Sequence, residues 1–252
     1  MPTPGPSTPR HRFFCPTLPQ AAENRVSDAL CPLDRTESHH ARNVLRLSAG
    51  ESIELFDGAG GVAIAQIDRY ESNRALCRIT DFRVDPPITP QLVVASAVPK
   101  GPRADAMVDQ LSQLGVDRFI SLHTEHSVAV PKPAKVEKFA RAAVESAKQC
   151  ERSWLMQIDP PGRPTSVWKD AAFDLKLIAA PGGEPLPDLA DRMRSCRSVL
   201  VLIGPEGGWS DGELKSAADA GCLRWTIAPH ILRIETAATT AASILRYMCH
   251  TH

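Results

Sequence analysis

Two rhythms of apolar and polar residues divide the chain, and they change over at residues 85–90. Before that point the alternation has a period of two. Ser52–Phe56 (S-I-E-L-F), Val62–Ile67 (V-A-I-A-Q-I) and the weaker Ala75–Val84 therefore read as short strands. Asp57-Gly58 with Gly60-Gly61 lies between the first two and has the residue types of a tight hairpin turn. One helix is predicted over Glu37–Leu47, where His40, Val44 and Leu47 recur at helical spacing. A small β-barrel with one helix accounts for residues 12–86. The first ten residues hold four prolines, so residues 1–11 read as a disordered tail.

Asp85-Pro86-Pro87-Ile88-Thr89-Pro90 suppresses both helix and central strand and marks the domain boundary. Over 87–252 strands and helices then alternate. Strands are predicted at Leu92–Val98, Phe119–Leu122, Leu175–Ala180, Val199–Ile203 and Leu223–Ile227. Helices are predicted at Arg103–Leu114, Lys135–Cys150, Asp211–Ala220 and Glu235–Cys249. The first has Met107, Leu111 and Leu114 on one face; the second has Val136, Phe139, Ala143 and Ala147; the last has Ala238, Ala242, Leu245 and Cys249. Such alternation implies an α/β fold, a mostly parallel sheet with helices on both faces.

Composition narrows the function classes. Apolar residues make up 43% and charged residues 23%, and 29 basic side chains balance 29 acidic ones. A zero net charge supplies no global attraction for nucleic acid, so any RNA surface has to be a local patch. The seven cysteines are odd in number, scattered and without C-x-x-C, which argues against a disulfide framework or a zinc site and for a reducing, cytoplasmic compartment. The amino terminus has no secretory-signal pattern, no apolar run approaches a membrane span, and the histidines lack metal-ligand spacing.

The richest stretch is Ser198–Glu213, S-V-L-V-L-I-G-P-E-G-G-W-S-D-G-E. Five apolar, mostly β-branched residues predict a strand buried on both faces. Gly204, Pro205, Gly207 and Gly208 force an exposed loop, and Ser210 with Glu213 has capping-box spacing for a following helix. A second loop, Ile227-Ala228-Pro229-His230-Ile231-Leu232-Arg233-Ile234-Glu235-Thr236-Ala237, comes one strand–helix–strand unit later and belongs at the same sheet edge. Converging main-chain groups there would suit a heteroaromatic body such as adenine. The glycines alone would equally serve a plain connection between strand and helix, and Arg233 and Glu235 an ion pair or a helix-start charge. Neither G-x-x-x-x-G-K-[ST], G-x-G-x-x-G nor G-x-S-x-G occurs. Arg35, Arg42 and Arg46, with His39 and His40, face only Glu37 in R-T-E-S-H-H-A-R-N-V-L-R; this reads either as a phosphate-contacting patch or as a solvated helix face.

These residues together resemble the RsmE family, the 16S rRNA (uracil-N3)-methyltransferases of the SPOUT superfamily. L-I-G-P-E-G-G-W-S-D-G-E at 202–213 matches the family's main motif almost letter for letter, and I-L-R-I-E-T-A at 231–237 differs from its I-L-R-T-E-T-A only at Ile234. V-L-R-L (44–47), F-D-G (56–58), K-G-x-R (100–103), L-G-V (114–116) and Q-C-x-R (149–152) extend the likeness over nearly the whole chain. The resemblance implies a PUA-like barrel followed by a trefoil-knotted α/β domain. It further implies S-adenosyl-L-methionine as cofactor, 16S rRNA in the small ribosomal subunit as partner, and a homodimer. For the sites it implies cofactor contacts at Ile203, Gly204, Pro205, Gly207, Gly208, Ile227, Ala228, His230 and Leu232. Catalytic or target-binding roles fall to Arg233, Glu235 and Arg152, RNA contacts to Arg35, Arg42 and Arg46, and no metal is implied.

The chain departs from the family pattern at Gln113, His126, Lys148, Ala228 and His230. The cofactor loops are expected to be less affected than the RNA-facing side. Two alternatives follow: a related SPOUT enzyme with another RNA target, or a non-catalytic RNA-binding or ribosome-assembly protein of the same fold.

Overall fold

The computed structural model describes residues 11–18, 30–170, 172–184 and 189–250, so most of the predicted tail lies outside the described residues. The chain forms two compact units: Met1–Pro87 together with Ala147–Leu155, and Ile88–Ser146 together with Met156–His252.

The first unit is a five-stranded sheet built from β1 (Arg12–Phe14), β2 (Leu30–Pro32), β3 (Ser52–Phe56), β4 (Gly61–Glu71) and β5 (Arg74–Val84), in the order β1-β3-β4-β5-β2. The predicted alternation holds: Ile53 and Leu55 of β3 and Ala63, Ala65 and Ile67 of β4 enter one core with Phe13, Leu33 and Leu47. Between β3 and β4 the Asp57 carboxylate accepts hydrogen bonds from the amides of Ala59 (2.6 Å) and Gly61 (2.9 Å). This is the side-chain-mimicked turn that Asp favours. Gly60 adopts φ +95°, and a Cβ there would also meet the Trp154 ring at 2.7 Å.

Trp154 belongs to the stretch 147–155, which joins the first unit although 59 residues of the other unit precede it. The Trp154 indole donates to Asp85 O (2.9 Å) and Leu155 N donates to Gly58 O (3.0 Å). The interval 87–252 therefore does not form a single unit in space. From the same stretch, Lys148 Nζ meets Glu37 Oε1 at 2.9 Å, with side chains only 12% and 7% exposed.

The predicted helix over Glu37–Leu47 has a different shape and a different inner face. α1 (Arg35–His39) is capped by Asp34, which accepts from Glu37 N, and continues as a π-helical turn over His40–Val44. Glu37, Ser38 and Ala41 point inward; of the predicted face, Leu47 is buried whereas Val44 is 59% exposed. The extra residue per turn rotates the face, so the 3.6-residue spacing misplaced it.

The second unit is a six-stranded, all-parallel sheet. Its strands are β6 (Gln91–Ser96), β7 (Arg118–Leu122), β8 (Gln157–Gly162), β9 (Leu175–Glu184), β10 (Ser198–Ile203) and β11 (Leu223–Trp225), in the order β11-β9-β10-β6-β7-β8. Its helices are α2 (Pro102–Gln113), α3 (Pro133–Gln149, which ends in the first unit's stretch), α4 (Pro164–Trp168), α5 (Leu189–Arg194), α6 (Asp211–Asp219) and α7 (Ile234–His250). Alternate residues of one strand enter different cores. Val199, Val201 and Ile203 pack with Met107, Phe139 and Leu245, whereas Leu200 and Leu202 pack with Trp168 and Ala217. Both faces of β10 are thus covered, as a parallel strand requires. Among the described residues no helix is long and apolar enough to cross a membrane.

One buried charge braces the unit. Arg246 of α7, 5% exposed, donates to Gly115 O (3.0 Å from Nε) and Pro90 O (2.8 Å from Nη1), and pairs with Asp117. Asp117 in turn accepts from Leu92 N (2.8 Å), so one guanidinium fixes the entries to both β6 and β7.

Two outcomes follow. Glu37→Met or Lys148→Met alone should destabilise the protein by about 3 kcal/mol, because a buried charge loses an opposite charge beside it, while the double substitution should recover most of that loss in urea denaturation. Arg246→Lys keeps the charge but has no planar fork to span separated acceptors, and should cost about 2 kcal/mol in the same assay.

Candidate active site

The carboxyl edge of β9 and β10 opens into a cleft of ≈ 470 Å³ in the second unit. That volume is within the usual range for small-ligand sites, about 300–1,000 Å³. All nine residues predicted for the cofactor line it: Ile203, Gly204, Pro205, Gly207, Gly208, Ile227, Ala228, His230 and Leu232. The sequence reading missed the wall from Ala179 to Gly182, together with Trp209, Trp225, Ile234 and Ala237. A signal for that wall existed, since P-G-G at 181–183 follows the end of a predicted strand, as the glycine loop at 204–208 does.

The first loop is held from several directions. Gly208 adopts φ +73°, a left-handed conformation that favours glycine, and its amide donates to Pro205 O at 2.9 Å. The Trp209 indole lies across Gly204, where a Cβ would sit 2.9 Å from Nε1, and donates to Ala179 O at 3.0 Å. That hydrogen bond ties the loop to the neighbouring β9 wall. The predicted capping box is present: Glu213 N donates to Ser210 Oγ (3.1 Å) and Ser210 N donates to Glu213 Oε2 (3.0 Å). The other oxygen, Oε1, accepts from Glu125 N at 3.1 Å, joining the start of α6 to the loop after β7. His126, next in that loop, brings Nδ1 to 3.0 Å from Gly208 O, and a Cβ on Gly207 would lie 3.0 Å from His126 Cβ.

His126, one of the departures from the family pattern, thus touches the glycine loop itself. Gln113 and Lys148 hold local contacts: Gln113 Nε2 donates to Asp109 Oδ2 (3.0 Å), and Lys148 pairs with Glu37; Ala228 and His230 line the cleft.

The cleft offers little charge. Glu206 and His230 are the ionisable side chains in its lining; the remainder is apolar side chain, Thr226 and main chain. Such walls suit a flat apolar ring read by backbone donors and acceptors. Of the other predicted residues, Arg233 is exposed and stands between Leu232 and Ile234, both of which line the cleft. Glu235 lies in the first turn of α7 and pairs through Oε1 with Arg103 Nη1 at 3.3 Å, which gives K-G-x-R a structural role that the sequence did not assign. Arg152 belongs to the first unit. So do the exposed Arg35, Arg42 and Arg46; Arg42 lies 5.2 Å from the centre of the Tyr70 ring, and Arg46 has φ +58°. A second hollow of ≈ 550 Å³ at the start of α2 is larger, but its lining includes none of the predicted residues. The convergence of two loops makes the smaller cleft the candidate. Among the described residues no cluster of acidic, histidine or cysteine side chains could hold a metal ion.

Residues 33–80 match the family described as RNA methyltransferase PUA domain, and residues 86–246 match that described as RNA methyltransferase domain. A ribosomal RNA small subunit methyltransferase E from Mycobacterium bovis is 28% identical over 239 residues, covering 91% of this chain and 88% of that one. Its namesake from Synechocystis is also 28% identical, covering 87% and 74%. Among solved structures, a putative methyltransferase from Legionella pneumophila in complex with the cofactor SAM superposes with a TM-score of 0.82 at 27% identity, covering 94% of this chain and 96% of that one. With the family match spanning 86–246, more than half of its length, the chain belongs to the RNA methyltransferase domain family.

Proposed function

We propose that this protein transfers a methyl group from S-adenosyl-L-methionine to N3 of a uridine in 16S ribosomal RNA. The observation that carries the cofactor assignment is the convergence of Gly204–Gly208 and Ile227–Leu232 on one nearly uncharged cleft. A relative 27% identical over nearly the same length is described in complex with SAM, and relatives named small subunit methyltransferase E supply the RNA class.

When bound, the cofactor supplies an electrophilic methyl on a sulfonium sulfur. The chain's own task is to position the acceptor, since aligning two reactants removes much of the entropic barrier. The apolar walls from Ala179, Ile203, Ile227 and Leu232 would exclude water from an adenine ring. Glu206 is the one acid in the lining and would favour the cofactor's positive end. N3 of uracil must lose a proton before it attacks, which leaves charge on two carbonyl oxygens. Arg233, flanked by two lining residues, is the guanidinium proposed to stabilise that charge. Glu235 is the proposed proton acceptor, oriented by Arg103. Arg152, with Arg35, Arg42 and Arg46 in the same unit, is proposed to contact RNA phosphates.

The non-catalytic alternative loses its motive. Gln113 and Lys148 do not line the cleft, and His126 braces the glycine loop rather than blocking it. The proposal also includes the trefoil thread, a homodimer, action on the small subunit, and the cytoplasm. Ile231, 90% exposed at the cleft's rim, is an apolar surface that a second subunit would cover.

Nucleoside mass spectrometry of small-subunit rRNA from a deletion strain should show loss of 3-methyluridine, restored by the wild-type gene. Persistence without another methylase would refute the assignment. Gly207→Val should push His126 off Gly208 O and weaken S-adenosylmethionine binding roughly tenfold in calorimetry, with a much smaller change in unfolding free energy. Unchanged affinity in a folded variant would remove this loop from the cofactor site.

A further inference from the structure

Three cysteines that are scattered in sequence meet in the core of the first unit. Cys15 follows β1, Cys31 lies in β2, and Cys77 of β5 is the direct cross-strand partner of Cys31. All three are buried, at 1%, 1% and 0% exposure. The Sγ atoms of Cys15 and Cys31 stand 3.0 Å apart, and Thr17 Oγ1 lies 3.5 Å from Cys15 Sγ. The strands concerned are the two ends of the sheet order β1-β3-β4-β5-β2, so this sulfur pair joins edges that no backbone ladder joins.

We propose that Cys15 and Cys31 form an oxidation site, at which a disulfide closes the seam between the two edge strands of the sheet. The sulfurs need to approach by only about 1 Å to bond. The two thiols are also unequal. The hydrogen bond with Cys31, with further help from Thr17, holds Cys15 down at about 7 against the opposing effect of burial. The same hydrogen bond and burial push Cys31 up. Burial, with the charge on Cys15, raises Cys77 to about 12, so it stays a protonated bystander.

The oxidant is a hydroperoxide. The Cys15 thiolate attacks the terminal peroxide oxygen; the O–O bond breaks, and an alcohol (or water, from hydrogen peroxide) leaves, giving a sulfenic acid on Cys15. The Cys31 sulfur then attacks the Cys15 sulfur and displaces water, with loss of its own thiol proton. Two thiols are oxidised by two electrons and one hydroperoxide is reduced. A dithiol reverses the step.

The test treats the full chain with hydrogen peroxide and maps it under non-reducing conditions. Cleavage after Arg12, Arg25 and Arg35 places Cys15 in peptide 13–25 and Cys31 in peptide 26–35. The expected product is that pair of peptides joined, about 2 Da lighter than their sum, and separated again by dithiothreitol. Oxidised protein should melt at a higher temperature than reduced protein, because the crosslink spans 16 residues and connects two sheet edges. Cys15→Ser should abolish the joined peptides, and Cys77→Ser should preserve them. The proposal fails if 13–25 and 26–35 remain separate while the less buried Cys150, Cys196 and Cys249 are oxidised, or if Cys15 pairs with any cysteine other than Cys31. The wild-type map decides the matter even where a variant does not fold.

Discussion

The Glu213 carboxylate is the fastening on which the cleft's first wall depends. One oxygen accepts from Ser210 N and closes the first turn of α6; the other accepts from Glu125 N, in the loop after β7. Charged acceptors at a helix start combine a hydrogen bond with a favourable interaction with the helix dipole. Glu213 is only 7% exposed, so those bonds form away from competing water. They also deliver His126 to Gly208 O, and the loop between Gly204 and Trp209 is then gripped at both ends. A loop rich in glycine would otherwise be floppy; the grip leaves its main chain available to a ligand without leaving it mobile.

The second wall depends on the sheet. β10 is buried on both faces and pairs with β6 on one side and β9 on the other, so its end is fixed in three directions. Trp225 of β11 pairs with Glu184 at the far end of β9 across a register shift after Arg224, and the chain then leaves the sheet toward α7. The loops after β10 and β11 flank the end of β9, which accounts for Ala179–Gly182 forming a wall of the cleft. This follows from strand order, a property that no local sequence pattern contains.

That difference explains what was legible. The strand Val199–Ile203, the capping box and the two-loop pairing were readable because each is a local pattern with one strong physical reading. β8 (Q-I-D-P-P-G) was not, since its prolines argue against a strand. The structure tolerates them because β8 is an edge strand and its register shifts between Ile120 and Leu122 of its partner. β1 and β2, of three residues each, are too short for a period to register. The face of the helix near Glu37 was misread because the period itself changes to a π-turn. Arg246 was invisible as a brace: its acceptors at Pro90 and Gly115 lie more than a hundred residues away in sequence.

The motif residues that seemed isolated are connected by the same logic. Arg103 lies in the first turn of α2, which follows β6, and Glu235 in the first turn of α7. Their ion pair holds together the starts of two helices that pack against one core, in which Met107 and Leu111 meet Ala238, Ala242 and Leu245. The pair is partly exposed, with side chains 43% and 19% accessible, so its Coulomb term is modest and its main effect is orientation. A carboxylate held in that way keeps a fixed orientation at the start of α7. The spacing of K-G-x-R and I-E-T-A in sequence thus becomes a constraint on geometry, linking the strand beside β10 to the loop that closes the cleft.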